Sequence, residues 1–97
     1  MVEKIDTIGN IIYCYNSDFE LLGSLEKTSQ YDAFYNEFSD TQELLTTNVS
    51  NPIKRVMKFY NISNGLPQTT QEIDYIDMTS QQQAIVDNYI NEIQSNI

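Results

Sequence analysis

Asn51-Pro52-Ile53-Lys54-Arg55-Val56-Met57-Lys58-Phe59-Tyr60 sets the balance of helix and strand in this chain of 97 residues. Asn51 has the side chain of a helix cap, and Pro52 suits the first helical position, where its missing N–H is not needed. Ile53, Val56, Met57 and Tyr60 then recur at a spacing close to 3.6 residues. The run is therefore expected to be an amphipathic helix, with Lys54, Arg55 and Lys58 on its exposed flanks. Asn64-Gly65-Leu66-Pro67 is a strong turn signal and is expected to end that helix.

Working outward toward the C-terminus, residues 61–79 read as irregular. Glu72-Ile73-Asp74-Tyr75-Ile76-Asp77 mixes acids and apolar residues, which suits a short edge strand with its carboxylates in water. The calcium-loop pattern of acids, a central Gly and a terminal Glu is missing, and the chain has no histidine for a transition metal. Beyond this stretch, Thr79 with Gln82, or Ser80 with Gln83, forms a capping box. Val86, Tyr89, Ile90, Ile93 and Ile97 follow it as a helical stripe widened by Ile85.

Working outward toward the N-terminus, Ser29 and Asp32 open another helix, on which Tyr31, Phe34, Tyr35 and Phe38 share one face. Such a stripe reads first as core and second as a partner surface; the acids Asp32, Glu37 and Asp40 oppose its use for stacking nucleic-acid bases. Asp40 with Glu43 offers a cap for a short helical turn through Leu44 and Leu45. Residues 3–8 alternate weakly, Gly9-Asn10 is a turn pair, and 11–15 is a β-branched and aromatic run. Asn16-Ser17-Asp18 turns the chain again, and 19–23 returns as a partner strand. The expected fold class is α+β: a small N-terminal antiparallel β-meander packed on three or so helices. One domain spans 1–97, β-rich over 1–25 and mainly helical over 26–97, with Phe34, Phe38, Val56, Tyr60, Ile90 and Ile93 packing together.

Charge narrows the function. Fourteen acids face five cations, for a net charge of -9, and residues 59–97 contain no cation. Such a surface favours protein partners with basic faces and disfavours direct contact with nucleic acid. Cys14 is the single cysteine, and in an apolar run it reads as a buried filler rather than a reactive thiol. No stretch is apolar enough for a membrane span, and the start lacks the pattern of a secretory signal peptide. With no histidine, no phosphate-cradling glycine loop and no nucleophile elbow, the chain offers no catalytic, cofactor-binding or metal-ligating residues, and an enzyme is not expected.

The segment Asp74 to Ile93 runs from an acidic-apolar stretch through Met78-Thr79-Ser80-Gln81-Gln82-Gln83 into an amphipathic helix. It resembles the C-terminal part of some small tailed-phage virion proteins. The resemblance covers about a fifth of the chain and implies a phage structural or accessory role. The expected function is thus that of a non-enzymatic phage structural or assembly protein. It would be a small acidic subunit contacting other subunits of a larger assembly, or further copies of itself, located in the virion or in host cytoplasm when made. Tyr31, Tyr35, Lys54, Arg55 and Lys58 are the expected partner-binding residues. The alternative is a diffusible phage-encoded inhibitor or anti-defence protein whose acids mimic nucleic acid.

Overall fold

The computed structural model describes residues 1–38 and 43–97, with only the backbone of Glu43. The described strands are β1 (Lys4–Ile8), β2 (Ile11–Tyr15), β3 (Leu21–Glu26), β4 (Glu43–Thr47), β5 (Val56–Ser63) and β6 (Leu66–Asp74). Helix α1 (Ser29–Glu37) follows β3, and helix α2 (Ser80–Ser95) ends the chain. All six strands join one sheet in the order β3-β2-β1-β4-β5-β6, and every neighbouring pair is antiparallel. The order of elements is βββα, given twice. The first strands of the two halves, β1 and β4, pair at the centre, so each meander grows outward to one edge and each helix returns over the same face. There α1 and α2 pack on one another.

The expected N-terminal meander is present as β1, β2 and β3. Gly9, at φ +58°, makes the two-residue turn between the paired Ile8 and Ile11, a backbone conformation glycine adopts without steric cost. In α2, the Thr79 side chain accepts from the Gln82 N–H, and the Gln82 side chain accepts from the Thr79 N–H, completing the first of the two expected capping boxes. Helix α1 begins after Thr28 rather than at a capping Ser29. The Thr28 hydroxyl donates to Glu92 on α2 instead of closing the helix end.

The helix expected over 52–60 is not formed. Asn51 does cap, its side chain accepting from the Ile53 N–H, but only a single 3-10 turn over Pro52–Lys54 follows before the chain enters β5. Strand geometry wins because Met57 and Phe59, two apart, both turn inward and are fully buried. The Val, Phe and Tyr side chains also suit a pleated surface. Asn64 and Gly65, both at positive φ, form the two-residue loop of a β5–β6 hairpin rather than a helix terminus. Most of the stretch expected to be irregular is therefore hairpin. Leu44 and Leu45 lie in strand β4 rather than a helical turn; Asp40, its expected cap, lies outside the described residues. The described chain thus has two α-helices instead of about three. Half of its six strands fall in the part expected to be mainly helical.

The core lies between the sheet and the helices. Ile5, Ile12, Cys14, Met57 and Phe59 face Phe34 and Phe38 from the first helical segment and Val86, Tyr89, Ile90 and Ile93 from α2. Phe34 meets Tyr89 edge-on at 4.6 Å between centroids, and Phe38 stacks on Phe59 at 5.6 Å. The Tyr89 hydroxyl shares a 2.7 Å hydrogen bond with the buried Thr7 hydroxyl, which satisfies both polar groups. Phe34, Phe38, Ile90 and Ile93 are core as expected. Val56 and Tyr60 are not, because the two-residue period of β5 sends them to the opposite face.

Candidate functional site

The expected partner-binding residues are dispersed. Tyr31 is buried against Tyr89, whereas Tyr35 beside it is 40% exposed. Lys54 is exposed on the 3-10 turn, and Lys58 is half-buried on the face of β5 away from the helices. Arg55 is only 5% exposed, so the expectation of three exposed cations on one helix fails for it. The residue leads from the 3-10 turn into β5 and its side chain enters the protein. Its Nη2 donates to the Val49 carbonyl at 2.6 Å and its Nη1 to Asp87 Oδ1 at 3.2 Å. The Tyr75 ring lies under the guanidinium at 4.8 Å, and the Tyr75 hydroxyl donates to the same Asp87 carboxylate. Burial, first, and that hydrogen bond both push the Tyr75 phenol above its ordinary pKa.

The face of the sheet away from the helices is the larger candidate. No described helix covers it. Directly opposed residues share a face of a sheet, which places Tyr13, Asp6, Leu45, Lys58 and Glu72 in one row across five strands. Ile11 and Ile8 oppose each other in a neighbouring row, and Val56 stands opposite Thr47 and Asp74. An antiparallel sheet with one wet side ordinarily alternates polar residues outward. Here the wet side also carries Ile8, Ile11, Tyr13, Tyr15, Leu45, Val56 and Tyr60, all half-buried except for the exposed Ile8. Among the described side chains its charges are Lys4 and Lys58 against Asp6, Glu26, Glu72 and Asp74, so apolar and aromatic residues alternate across the face with charges in which acids predominate.

One corner of this face is held in an unusual conformation. Phe19 is 65% exposed and sits at φ +61°, where a bulky side chain is strained. Asn16 stabilises the turn by accepting from the backbone N–H groups of Asp18 and Glu20. The Lys4 ammonium lies 5.1 Å from the Phe19 ring and 5.0 Å from that of Tyr15, and 3.5 Å from the Asp6 carboxylate. Burial raises the Asp6 carboxyl above its ordinary pKa, although Lys4 pulls the other way. This corner thus combines a carboxylate held at some electrostatic cost with a strained, exposed aromatic ring.

No protein-family model matches the chain, and neither a curated protein nor a solved structure is significantly similar to it. Among the described residues there is no group of three or more potential metal ligands, and no helix long and apolar enough to cross a membrane. Sequence reading missed Tyr13, Tyr15 and Leu45 as surface residues, although the alternation of β1 and β2 carried the signal for the first two. It also missed Tyr75 and Asp87 as partners of Arg55. That cluster joins residues 12 and 32 positions apart, and no local pattern announces it.

Proposed function

We propose that this protein is a non-enzymatic assembly subunit that binds other proteins through the uncovered face of its sheet. The observation that carries the reading is the set of half-buried apolar and aromatic side chains, interspersed with charge, on a sheet face that no described helix covers. Aromatic side chains flanked by charge are the usual anchors of a protein interface. With four acids to two cations among the described side chains of the face and a net charge of -9, the fitting partner presents a net basic surface with apolar groups interspersed, and another copy of the same face is repelled. The resemblance of residues 74–93 to tailed-phage virion proteins makes a virion, or an intermediate in its assembly, the proposed setting.

Recovery at fixed stoichiometry from purified particles is the expected result. Tyr13→Ser combined with Leu45→Ser should leave the fold intact and weaken incorporation by about tenfold or more, as truncation of interface anchors does. Tyr35→Ala, on the helical side, should incorporate normally. A second reading, diffusible mimicry of nucleic acid, draws on the exposed acids Glu72, Asp74 and Asp77 near the β6 edge. A salt-sensitive soluble complex with a nucleic-acid enzyme, abolished by neutralising those three acids and unaffected by the Tyr13 and Leu45 changes, would replace the assembly reading with that one.

A further inference from the structure

The two edges of the sheet are built differently. At the β6 edge, Pro67 lacks an N–H, Thr70 is an extra residue where the register with β5 shifts, and Glu72 and Asp74 add charge. Such features keep a free edge from pairing with another strand. At the opposite edge, β3 contains neither proline nor lysine, and its single charge is Glu26 at the end. Its one irregularity falls at Leu22, which leaves Gly23-Ser24-Leu25-Glu26 in regular register with β2.

The ladder fixes which way the β3 backbone groups point. The Lys27 N–H donates to the Asn10 carbonyl, one step beyond the Ile11–Glu26 pair. Bonded and unbonded pairs alternate along an antiparallel ladder, so Gly23 and Leu25 bond to β2, while Ser24 and Glu26 turn their N–H and C=O groups outward. Both of these residues are exposed, and β3 has no described neighbour on that side. Donors and acceptors spaced in this way match another extended strand.

A second copy of β3 fits that edge. With a twofold axis at Ser24, Ser24 faces Ser24 of the other copy, Gly23 faces Leu25 and Leu22 faces Glu26, so no like charges are opposed. An axis at Gly23 would set Glu20 against Glu26, and one at Leu25 would pair a shorter part of the strand. Gly23 also provides a complement in shape. The exposed Ile97 lies over it on the helix side, with its Cδ1 3.0 Å from where a Cβ on Gly23 would stand. Leu25 of the other copy, opposite Gly23, therefore meets Ile97, and the contact is made twice across the axis. The β6 edge of another copy would instead bring Pro67, an irregular register and two further acids.

We infer that this protein forms a twofold dimer by antiparallel pairing of β3 with β3 of a second copy, which joins the two sheets into one. The contact runs edge to edge, so it leaves the uncovered face free and does not depend on the assembly reading. A contact limited to one strand and its flanks buries less than the roughly 1,600 Å² of a standard interface, and each copy carries a net charge of -9. The expected dissociation constant is on the order of 100 µM, tightening as salt screens the repulsion.

Sedimentation equilibrium of the full chain from about 10 µM to about 1 mM should show monomer and dimer alone. Over the same range, amide exchange at Ser24 and Glu26 should slow with concentration, and that of Gly23 and Leu25, already bonded to β2, should change less. Ser24→Glu and Ser24→Lys alter an exposed position, so each should keep the urea midpoint of the parent. Each should also weaken self-association by about tenfold or more, because like charges then meet at the axis. Mixing the Ser24→Glu and Ser24→Lys proteins should restore a dimer. The inference is overturned if the chain stays monomeric throughout, if it grows beyond a dimer, if Ser24 and Glu26 gain no protection, or if the two variants do not associate when mixed.

Discussion

Arg55 donates to Asp87 and to the Val49 carbonyl from a nearly closed site, so its removal affects groups from three parts of the chain at once. Arg55→Met keeps much of the apolar stem but leaves the Val49 carbonyl and the Asp87 carboxylate without this donor. Water can recover part of the loss at Asp87, whose side chain is 44% exposed. A destabilisation of about 1–3 kcal/mol is expected from the deserted acceptors, read as a lower urea midpoint with an unchanged slope. An unaltered midpoint would mean that the cluster does not hold the β4–β5 connection against α2. In sequence, Arg55 is one cation among three close neighbours, and charge alone assigns all three to water. Its partners come from a loop carbonyl and from α2, so only the folded chain separates it from Lys54 and Lys58.

At the level of elements, the β5–β6 hairpin depends on its two-residue loop. Gly65 sits at φ +78°, and an added side chain there would touch nothing within 4 Å, so the backbone conformation is the relevant constraint. Gly65→Ala should cost about 1 kcal/mol through the left-handed backbone penalty, observed in thermal or urea unfolding. A neutral result would show that the loop relaxes to another turn type. The same loop explains how β5 could be read as a helix. Ile53, Val56, Met57 and Tyr60 fit a 3.6-residue period, yet Met57 and Phe59 fit a period of two equally well, and a short apolar run does not distinguish them. Asn64-Gly65 favoured the hairpin and was legible, but the Asn51-Pro52 cap pointed toward a helix and is satisfied by a single 3-10 turn. The last helix had no such conflict, since its capping box and a stripe from Val86 to Ile93 agree.

Across the whole molecule, the helices shield two acidic groups that a folded core holds neutral. Burial pushes the Cys14 thiol from 9.0 up to about 11. Burial also raises the Tyr89 phenol well above 10.0, although its hydrogen bond with Thr7 acts in the opposite direction. A raised pKa in the folded state means that the unfolded chain loses its proton first, so stability is intact below about pH 9 and declines as pH rises. The Cys14 contribution should be lost between about pH 9 and 11, and the Tyr89 contribution from about pH 10 upward. Urea midpoints measured across this range should fall, and Cys14→Ala should flatten the first part of the decline. A flat profile in the unmodified protein would contradict the shielding of both groups. Sequence by itself determined the N-terminal meander, the aromatic helix face, the capped last helix and the acidic surface, because turn chemistry, 3.6-residue spacing and charge are all encoded in nearby residues. Tertiary structure alone decided that the run 56–60 is strand rather than helix, that β1 pairs with β4 so both helices share one face, and that Arg55 is buried while Leu45 is left on the open one. The pairing of β1 with β4 and the contact of Arg55 with α2 join segments 30 or more residues apart, and no local pattern of residues contains them.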